Sequence, residues 1–422
     1  MPFRFVHTAD IHLDSPLRSL SLRNPELAQL IGDSTRQALV SIVALCLEEQ
    51  VDALIIAGDL YDGEQTSMKT ARFLATQLAR LSQAGIAVYK IRGNHDALSK
   101  ITQELVLPDG VKVFGGRAEM VLHTGNGIDI AIHGMSFGKP QAPESLLPKY
   151  RPPEAGAVNI GIMHTSVGGA AGHDLYAPTS ATDLHAAGFD YWALGHIHKR
   201  TQHAGVRTVI MPGMPQGRDI NEAGEKTVSL VTVGDDRSIR VEERLTSVAQ
   251  FERVSVDLSD AQDWRSAMGR IEAALGAARN ATRAPHLVAR LQLNGRTAMA
   301  WRLRRDRDLL LAETEQRAEG LGQVWIEKIE IATEAPSQAS NSVLADPVNE
   351  LGELMRRDIL TAPMTLADVK HLVEDLRSEL PAEIRNFAGS DEAELDSFVE
   401  LLLAEGSADI LARLRSDNAG TD

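Results

Sequence analysis

Five short polar stretches in the first half of the chain each follow an apolar, strand-like run. Their polar members are Asp10, His12, Asp59, Asp62, Asn94, His95, Asp96, His164, His196 and His198. Each stretch alone is a weak signal, since Asp-x-His and Gly-Asp occur by chance and a single strand histidine is more often a satisfied core residue. Five in this order predict one shared site, because ligands in open α/β sheets bind beyond the carboxyl ends of strands.

The residue types favour two divalent cations. Carboxylate, imidazole and amide ligands without a thiolate suit Mn(II), Fe(II) or Zn(II) in a catalytic site better than Mg(II) or a structural zinc. Residues two apart in an extended segment face the same side, so Asp10 with His12, and His196 with His198, can each direct two ligands into one pocket. A single carboxylate such as Asp59 can bridge cations about 3.5–4 Å apart, and such a pair activates water and clamps phosphodiester oxygens.

The elements that must position these residues alternate between apolar β-type runs and helical stretches over residues 1–245. This alternation predicts a layered α/β sandwich, with αββα layers, as the catalytic domain. Helices are expected over 34–49 and over 66–83, the second with Thr66 as its N-cap.

The rest of the chain has a different rhythm. Residues 248–335 predict a small α+β cap of three strands and two helices, the second helix near 298–318. A linker rich in Ser, Ala and Gln leads into a helical C-terminal region over 343–422. Apolar residues at helical spacing over 366–380 predict first the core face of a helical hairpin and second a surface that docks a partner.

Composition bounds the class of protein. The 422 residues are 43% hydrophobic and 24% charged, which is typical of a soluble globular protein of two or three domains. The single cysteine, Cys46, excludes an intramolecular disulfide and fits a reducing cytoplasm. The N-terminus is too polar for a signal peptide, and no run reaches the roughly 18 apolar residues of a membrane span. We therefore expect a cytoplasmic protein with no membrane partner.

The net charge of −15 argues against a nucleic-acid partner until its distribution is considered. Residues 341–422 hold 18 acidic and 7 basic side chains, which leaves 40 acidic and 36 basic, a net of −4, for residues 1–340. The acidity is mostly a property of the C-terminal region, and bound divalent cations would offset the remainder locally.

The polar stretches resemble the signature of the calcineurin-like metallophosphoesterases, in which D-x-H, G-D-x-x-D, G-N-H-D, a later H and G-H-x-H follow in order. The resemblance implies one metal held by Asp10, His12, Asp59 and His198, and another held by Asp59, Asn94, His164 and His196.

The same resemblance implies a role for the three remaining polar residues. His95 would be the imidazole near the leaving group, acting as general acid or as stabiliser of the transition state. Asp96 would orient the His95 ring, and Asp62 would contact and orient the metal ligands without binding a metal itself.

Within that group, TADIHLDSPL, GDLYD, DYWALGHIHK and PGMPQGRDINEAGEK look most like the SbcD-type DNA exonucleases, closest to the YhaO-like branch. This likeness implies a Mn(II)-dependent nuclease for DNA repair, a homodimer, a cap over the DNA groove, and C-terminal helices that dock a coiled-coil ATPase of the SbcC type. Archaeal and eukaryotic relatives carry a His where this chain has Asp62, so the polarity of cleavage stays open.

Two other functions remain open. A phosphomonoesterase or a cyclic-nucleotide phosphodiesterase would use the same metals, although such enzymes rarely need a long extension after the catalytic core. A non-catalytic scaffold that binds DNA and the ATPase is disfavoured by the complete set of ligands.

Three further positions carry weaker expectations. Arg218 follows the last ligand stretch and is expected to meet a substrate phosphate. The basic stretch over 301–308 is expected to be a solvated helix face, with contact to the DNA backbone as the alternative. His133 ends a strand and is a weak candidate for the border of the site.

Overall fold

The structure is a computed structural model that describes residues 2–15, 25–62, 67–97, 106–125, 127–168, 176–336, 347–380, 385, 387–389 and 391–414. The described residues divide into two compact units. The first runs to Glu252 and includes Thr282–Leu287; the second takes Arg253–Ala281 and the chain from Val288 onward. The residues predicted as cap and as helical region thus share one unit, and their separation into two domains stays a prediction.

The first unit contains two six-stranded sheets. The strands of the first sheet are β1 (Phe3–Thr8), β2 (Ala53–Ala57), β3 (Ala87–Ile91), β4 (Val111–Val113), β11 (Thr227–Val233) and β12 (Ile239–Leu245). Their order is β12-β11-β1-β2-β3-β4. The pairs from β1 to β4 are parallel, whereas β11 runs antiparallel to both β1 and β12. The carboxyl ends of β1, β2 and β3 therefore lie at one edge.

The second sheet has the order β5-β6-β7-β8-β10-β9. Its strands are β5 (Glu119–Gly125), β6 (Ile128–Gly134), β7 (Val158–His164), β8 (Tyr191–Gly195), β9 (Thr201–His203) and β10 (Thr208–Met211). Strands β6, β7, β8 and β10 are parallel, and β5 and β9 pair antiparallel at the two edges.

Alternation along the strands builds a core on each face of the sheets. In β1, Phe5 points into the core between the sheets, whereas Val6 packs with the helices α1 (Pro25–Glu48) and α2 (Met68–Gln83). On the far face of the second sheet, Leu184 of the short helix α3 (Ala181–Ala186) packs with Trp192. The layers are helix, sheet, sheet and helix, which confirms the predicted fold class.

Helix α1 differs from its prediction in two respects. It begins at Pro25 instead of near residue 34. Its length and composition also make it a candidate membrane span, whereas none is expected from the apolar runs of the sequence. Its buried side chains pack against the first sheet, as those of a core helix do. Among them, Cys46 is fully buried, and burial raises the pKa of its thiol to about 12.

Strands β13 (Ala249–Asp257), β14 (His286–Asn294) and β15 (Val324–Ile331) form a three-stranded sheet that lies largely in the second unit. The helices α4 (Trp264–Ala281), α5 (Ala300–Arg305) and α6 (Arg307–Leu321) belong to this part of the chain. The single helix predicted over 298–318 is wrong, because the backbone breaks the helix at Asp306, with φ −99° and ψ 39°.

Three arginines of the basic stretch over 301–308 have partners inside the second unit. Arg302 and Arg305 pair with Asp306 at 3.4 Å and 2.8 Å, and Arg304 donates to the carbonyl of Ile331 at 2.6 Å. These partners favour the helix-surface interpretation over a contact with DNA.

The C-terminal part of the described chain is helical: α7 (Pro347–Leu354), a π-helical turn (Met355–Ile359), α8 (Pro363–Glu379) and α9 (Glu392–Leu414). The predicted apolar face of α8 is only partly buried. Val373 packs in a small core with Leu395 and Val399, whereas Leu372 and Leu376 are 66% and 48% exposed.

Candidate metal centre

The predicted site residues lie on loops where strands of both sheets end. Asp10 and His12 follow β1, Asp59 and Asp62 follow β2, and Asn94, His95 and Asp96 follow β3; His164 ends β7, and His196 and His198 follow β8. Backbone hydrogen bonds join the first two loops, from the N–H of Asp10 to the carbonyl of Gly58 and from the N–H of His12 to that of Asp59, each 3.1 Å.

Left-handed backbone angles aim these side chains. Asp10, His12, Asp59 and His196 have φ of 52°, 45°, 49° and 106°. Such angles in residues other than glycine cost of the order of 1–3 kcal/mol each and persist only where the surrounding structure imposes them. Asp10 and His12 therefore converge because their loop is left-handed. The extended, strand-like backbone that the sequence predicted for them is wrong.

Asp10, His12 and His198 form the first cluster, in which one ligand atom from each residue lies within 4.8 Å of the others. The Nε2 atoms of His12 and His198 face each other at 3.1 Å. Their Nδ1 atoms lie 2.6 Å from Asp62 and 2.9 Å from Glu222. Carboxylates in these positions hold the proton on Nδ1, so both Nε2 lone pairs point into the cluster.

Asp59, His164 and His196 form the second cluster by the same distance criterion. His164 Nε2 lies 3.2 Å from Asp59 Oδ2 and 2.9 Å from Asn94 Oδ1, while its Nδ1 lies 2.9 Å from the carbonyl of Ala57. Asp59 belongs to this cluster, although the sequence resemblance implied that both metals share it.

The donors in both clusters fit cations. Two imidazole lone pairs facing each other, or an imidazole nitrogen facing two oxygens, repel unless a proton or a metal ion lies between them. Burial alone would lower the pKa of His164, but the Asp59 carboxylate beside it reverses this effect and raises the pKa to about 9. For Asp10, burial is the largest effect and raises the pKa of its carboxyl. The donors thus attract positive charge.

His95 lies beside these clusters, with its side chain 46% exposed. Its backbone N–H donates to Asp59 Oδ1 at 3.0 Å, and its ring Nδ1 lies 3.5 Å from Asp62 Oδ1. Asp96 does not orient this ring as expected. Its buried carboxylate instead accepts from the backbone N–H groups of Gly93 and Leu60, at 2.7 Å and 3.1 Å, and so shapes the loop. The carboxylate next to His95 is that of Asp62, from the neighbouring loop.

Comparison with known proteins agrees with this geometry. Residues 3–200 match the family model of the calcineurin-like phosphoesterases, and residues 251–334 match that of the middle domain of metallophosphoesterase YhaO. An uncharacterised metallophosphoesterase YhaO of Bacillus subtilis is 33% identical over 80% of this chain and 83% of its own length. The chain belongs to the calcineurin-like metallophosphoesterases.

Two further relatives have names that describe DNA metabolism. The DNA double-strand break repair protein Mre11 of Methanocaldococcus jannaschii is 27% identical over 64% of this chain and 73% of its own. A subunit of the nuclease SbcCD from Bacillus subtilis is 26% identical over 54% of this chain and 66% of its own.

Sequence reasoning missed two carboxylates of this metallophosphoesterase. Glu222 contacts His198; the signals for it were its place in the stretch PGMPQGRDINEAGEK and its spacing of four residues after Arg218. Asp14 receives a bidentate ion pair from Arg36 of α1, both distances 2.6 Å, and so ties the first loop to the helical layer. His133, the weak border candidate, instead contacts Asn159 at 3.0 Å in the packed interior.

Gly93 gives a prediction specific to the second cluster. A Cβ atom at this position would lie 2.3 Å from Asp59 Oδ1 and 2.7 Å from His164 Nε2. Gly93→Ala is therefore expected to abolish one of two bound Mn(II) ions, as counted by elemental analysis after gel filtration. Gly138→Ala is the matched control, because a Cβ there meets nothing within 4 Å. Full metal content in Gly93→Ala would contradict a second metal at this cluster.

Proposed function

We propose that this metallophosphoesterase is a two-metal-dependent phosphodiesterase that cleaves DNA in repair, as an exonuclease, an endonuclease or both. The observation that carries the proposal is the pair of neighbouring donor clusters with the half-exposed imidazole of His95 beside them. The names of the Mre11 and SbcCD relatives support DNA as the substrate.

Asp10, His12 and His198 would hold one divalent cation, and Asp59, Asn94, His164 and His196 the other, with Asp59 proposed to reach both. Mn(II) is the expected ion, and Fe(II) and Zn(II) suit the same mixed donors. Such a pair of ions supplies Lewis acidity, lowering the pKa of water and offsetting charge on a phosphodiester.

The chain itself supplies the proton. His95 is accessible to a substrate, and the Asp62 carboxylate lies 3.5 Å from its Nδ1. The backbone N–H of His95 donates to Asp59, so the backbone that carries the imidazole is fixed to the second cluster. In this proposal, His95 donates a proton to the oxygen that leaves the phosphodiester, and Asp62 maintains the orientation of the ring.

Partners follow from the relatives and from the exposed apolar side chains of the C-terminal helices. Met364 and Leu372 on α8 and Leu401 on α9 are 77%, 66% and 57% exposed, which supports docking of a coiled-coil ATPase of the SbcC type. A homodimer and a cytoplasmic location belong to the same proposal.

The function is tested by degradation of linear double-stranded DNA. We expect purified protein to degrade it with Mn(II), to stop on addition of EDTA, and to resume when Mn(II) is restored. Rapid hydrolysis of p-nitrophenyl phosphate or cyclic AMP without action on DNA would instead indicate a phosphomonoesterase or cyclic-nucleotide phosphodiesterase. DNA binding without any hydrolysis would indicate a scaffold.

A further inference from the structure

We propose that Arg218 is a positioning residue that holds the two carboxylates orienting His12 and His198 of the first cluster. The inference rests on the proposed metal centre and assigns Arg218 a role other than the expected contact with a substrate phosphate. It follows from a continuous chain of contacts within the first unit.

One end of this chain of contacts is an ion pair between Arg218 and Glu222. The guanidinium Nη2 and Nε atoms lie 2.6 Å and 3.1 Å from the two carboxylate oxygens, and the backbone N–H of Arg218 donates to Oε2 at 2.8 Å. Glu222 Oε1 also lies 2.9 Å from Nδ1 of His198. The Glu222 side chain is only 12% exposed, so water does not easily replace these partners.

The other end runs through Ser15 to Asp62. Arg218 Nη1 donates to Ser15 Oγ at 3.2 Å, and the Ser15 hydroxyl donates to Asp62 Oδ2. The same Nη1 lies 3.9 Å from Asp62 Oδ2. Asp62 Oδ1 in turn lies 2.6 Å from Nδ1 of His12.

The Arg218 guanidinium therefore links Glu222 directly, and Asp62 through Ser15. These are the two carboxylates that contact the Nδ1 atoms of His198 and His12. Arginine suits this task because its planar group presents donors in a fixed fork that matches a carboxylate, whereas a lysine ammonium is a point charge. Three side-chain nitrogens of Arg218 already have partners within the protein. Without Arg218, Glu222 would lose its guanidinium donors and Asp62 would lose the support that reaches it through Ser15, so each imidazole would lose part of the restraint on its ring orientation.

The experiment titrates Mn(II) into metal-free protein in the absence of DNA, by calorimetry and by electron paramagnetic resonance of the free ion. In Arg218→Gln, we expect the Mn(II) affinity of one of the two sites to fall about 10–100-fold. This is the usual effect of removing a residue that hydrogen-bonds to a metal ligand. The other site should keep the parent's affinity. Excess Mn(II) should restore kcat on DNA, with KM for DNA unchanged.

Two variants refine the test. Glu222→Gln keeps the shape of the side chain but removes the charge that pairs with Arg218, and it should weaken the same site. Arg207→Gln is the matched control, because it breaks the ion pair of Arg207 with Asp190, 2.7 Å, and should leave both Mn(II) affinities unchanged. Unfolding curves of the metal-free proteins identify a variant that fails to fold, and Glu222→Gln then decides the outcome.

The contrary result is specific. If Arg218→Gln and Glu222→Gln bind both Mn(II) ions with the parent's affinity, the positioning role is wrong. A raised KM for DNA at unchanged Mn(II) affinity would instead assign Arg218 to a substrate phosphate. The titration needs no DNA and is therefore independent of the nuclease assay. A parent protein that cleaves no DNA would contradict the proposed function, whereas the Mn(II) affinities alone would decide the role of Arg218.

Discussion

Asp59→Asn is expected to lose one of two bound Mn(II) ions and to hydrolyse DNA at least about a hundredfold more slowly. This loss exceeds the one expected when a residue that only hydrogen-bonds to a metal ligand is removed. Asp59 is 2% exposed, and its Oδ2 lies 3.2 Å from His164 Nε2. The substitution preserves size but replaces one oxygen by an amide nitrogen that has no lone pair to offer a cation. Elemental analysis and a DNA degradation assay measure the two effects on the same preparation.

Asp129→Asn is the control for this substitution, because Asp129 is an exposed aspartate on β6 of the same unit. It should match the parent in metal content and in rate. An Asp59→Asn protein as active as the parent would rule out the two-metal mechanism, whichever substrate the enzyme acts on.

The convergence of the candidate ligands could be predicted from sequence because it depends on a simple rule of topology. The polar stretches after β1, β2 and β3 converge because parallel strands end at the same edge, and β7 and β8 bring His164 and His196 to them from the second sheet. Apolar strands followed by charged residues are visible in the sequence without any knowledge of strand order.

The partner of His95 could not be predicted in the same way. Asp96 is adjacent in sequence, but its carboxylate turns inward to the N–H groups of Gly93 and Leu60. Asp62 lies near the ring on the loop after β2, whose first two residues, Gly58 and Asp59, have φ of 97° and 49°. Such a backbone angle depends on the assembled loops, and local sequence signals do not contain it.

The long-range pairing of strands and the ends of helices were also not predictable from the sequence. The return of β11 to lie beside β1 joins residues more than two hundred positions apart, as in the pair Phe5 and Val231. The break at Asp306 divides a helix that periodicity alone predicted as continuous. Glu222 lies within the stretch PGMPQGRDINEAGEK, but its role depends on the fold, which brings its carboxylate 2.9 Å from His198 Nδ1.

His95→Ala should keep both Mn(II) ions and lose about 10²–10⁴-fold in DNA hydrolysis, the usual contribution of a positioned proton donor. Metal content should persist because the His95 ring belongs to neither the first nor the second cluster, although it forms a further group with His12 and Asp62, and the contact to Asp59 comes from its backbone N–H. The measurement is a single-turnover rate on DNA at saturating Mn(II), together with metal analysis.

The substitution separates proton transfer from metal binding, which Asp59→Asn cannot do. His371→Ala removes an exposed histidine of α8, 75% exposed, and should leave the rate unchanged. Asp62→Asn should lower the rate and also weaken the first cluster, because Asp62 contacts both His95 and His12, whereas His95→Ala affects the rate alone. A His95→Ala protein that cleaves DNA at the parent's rate would mean that the leaving oxygen takes its proton from water, and the half-exposed imidazole would then have no part in the reaction.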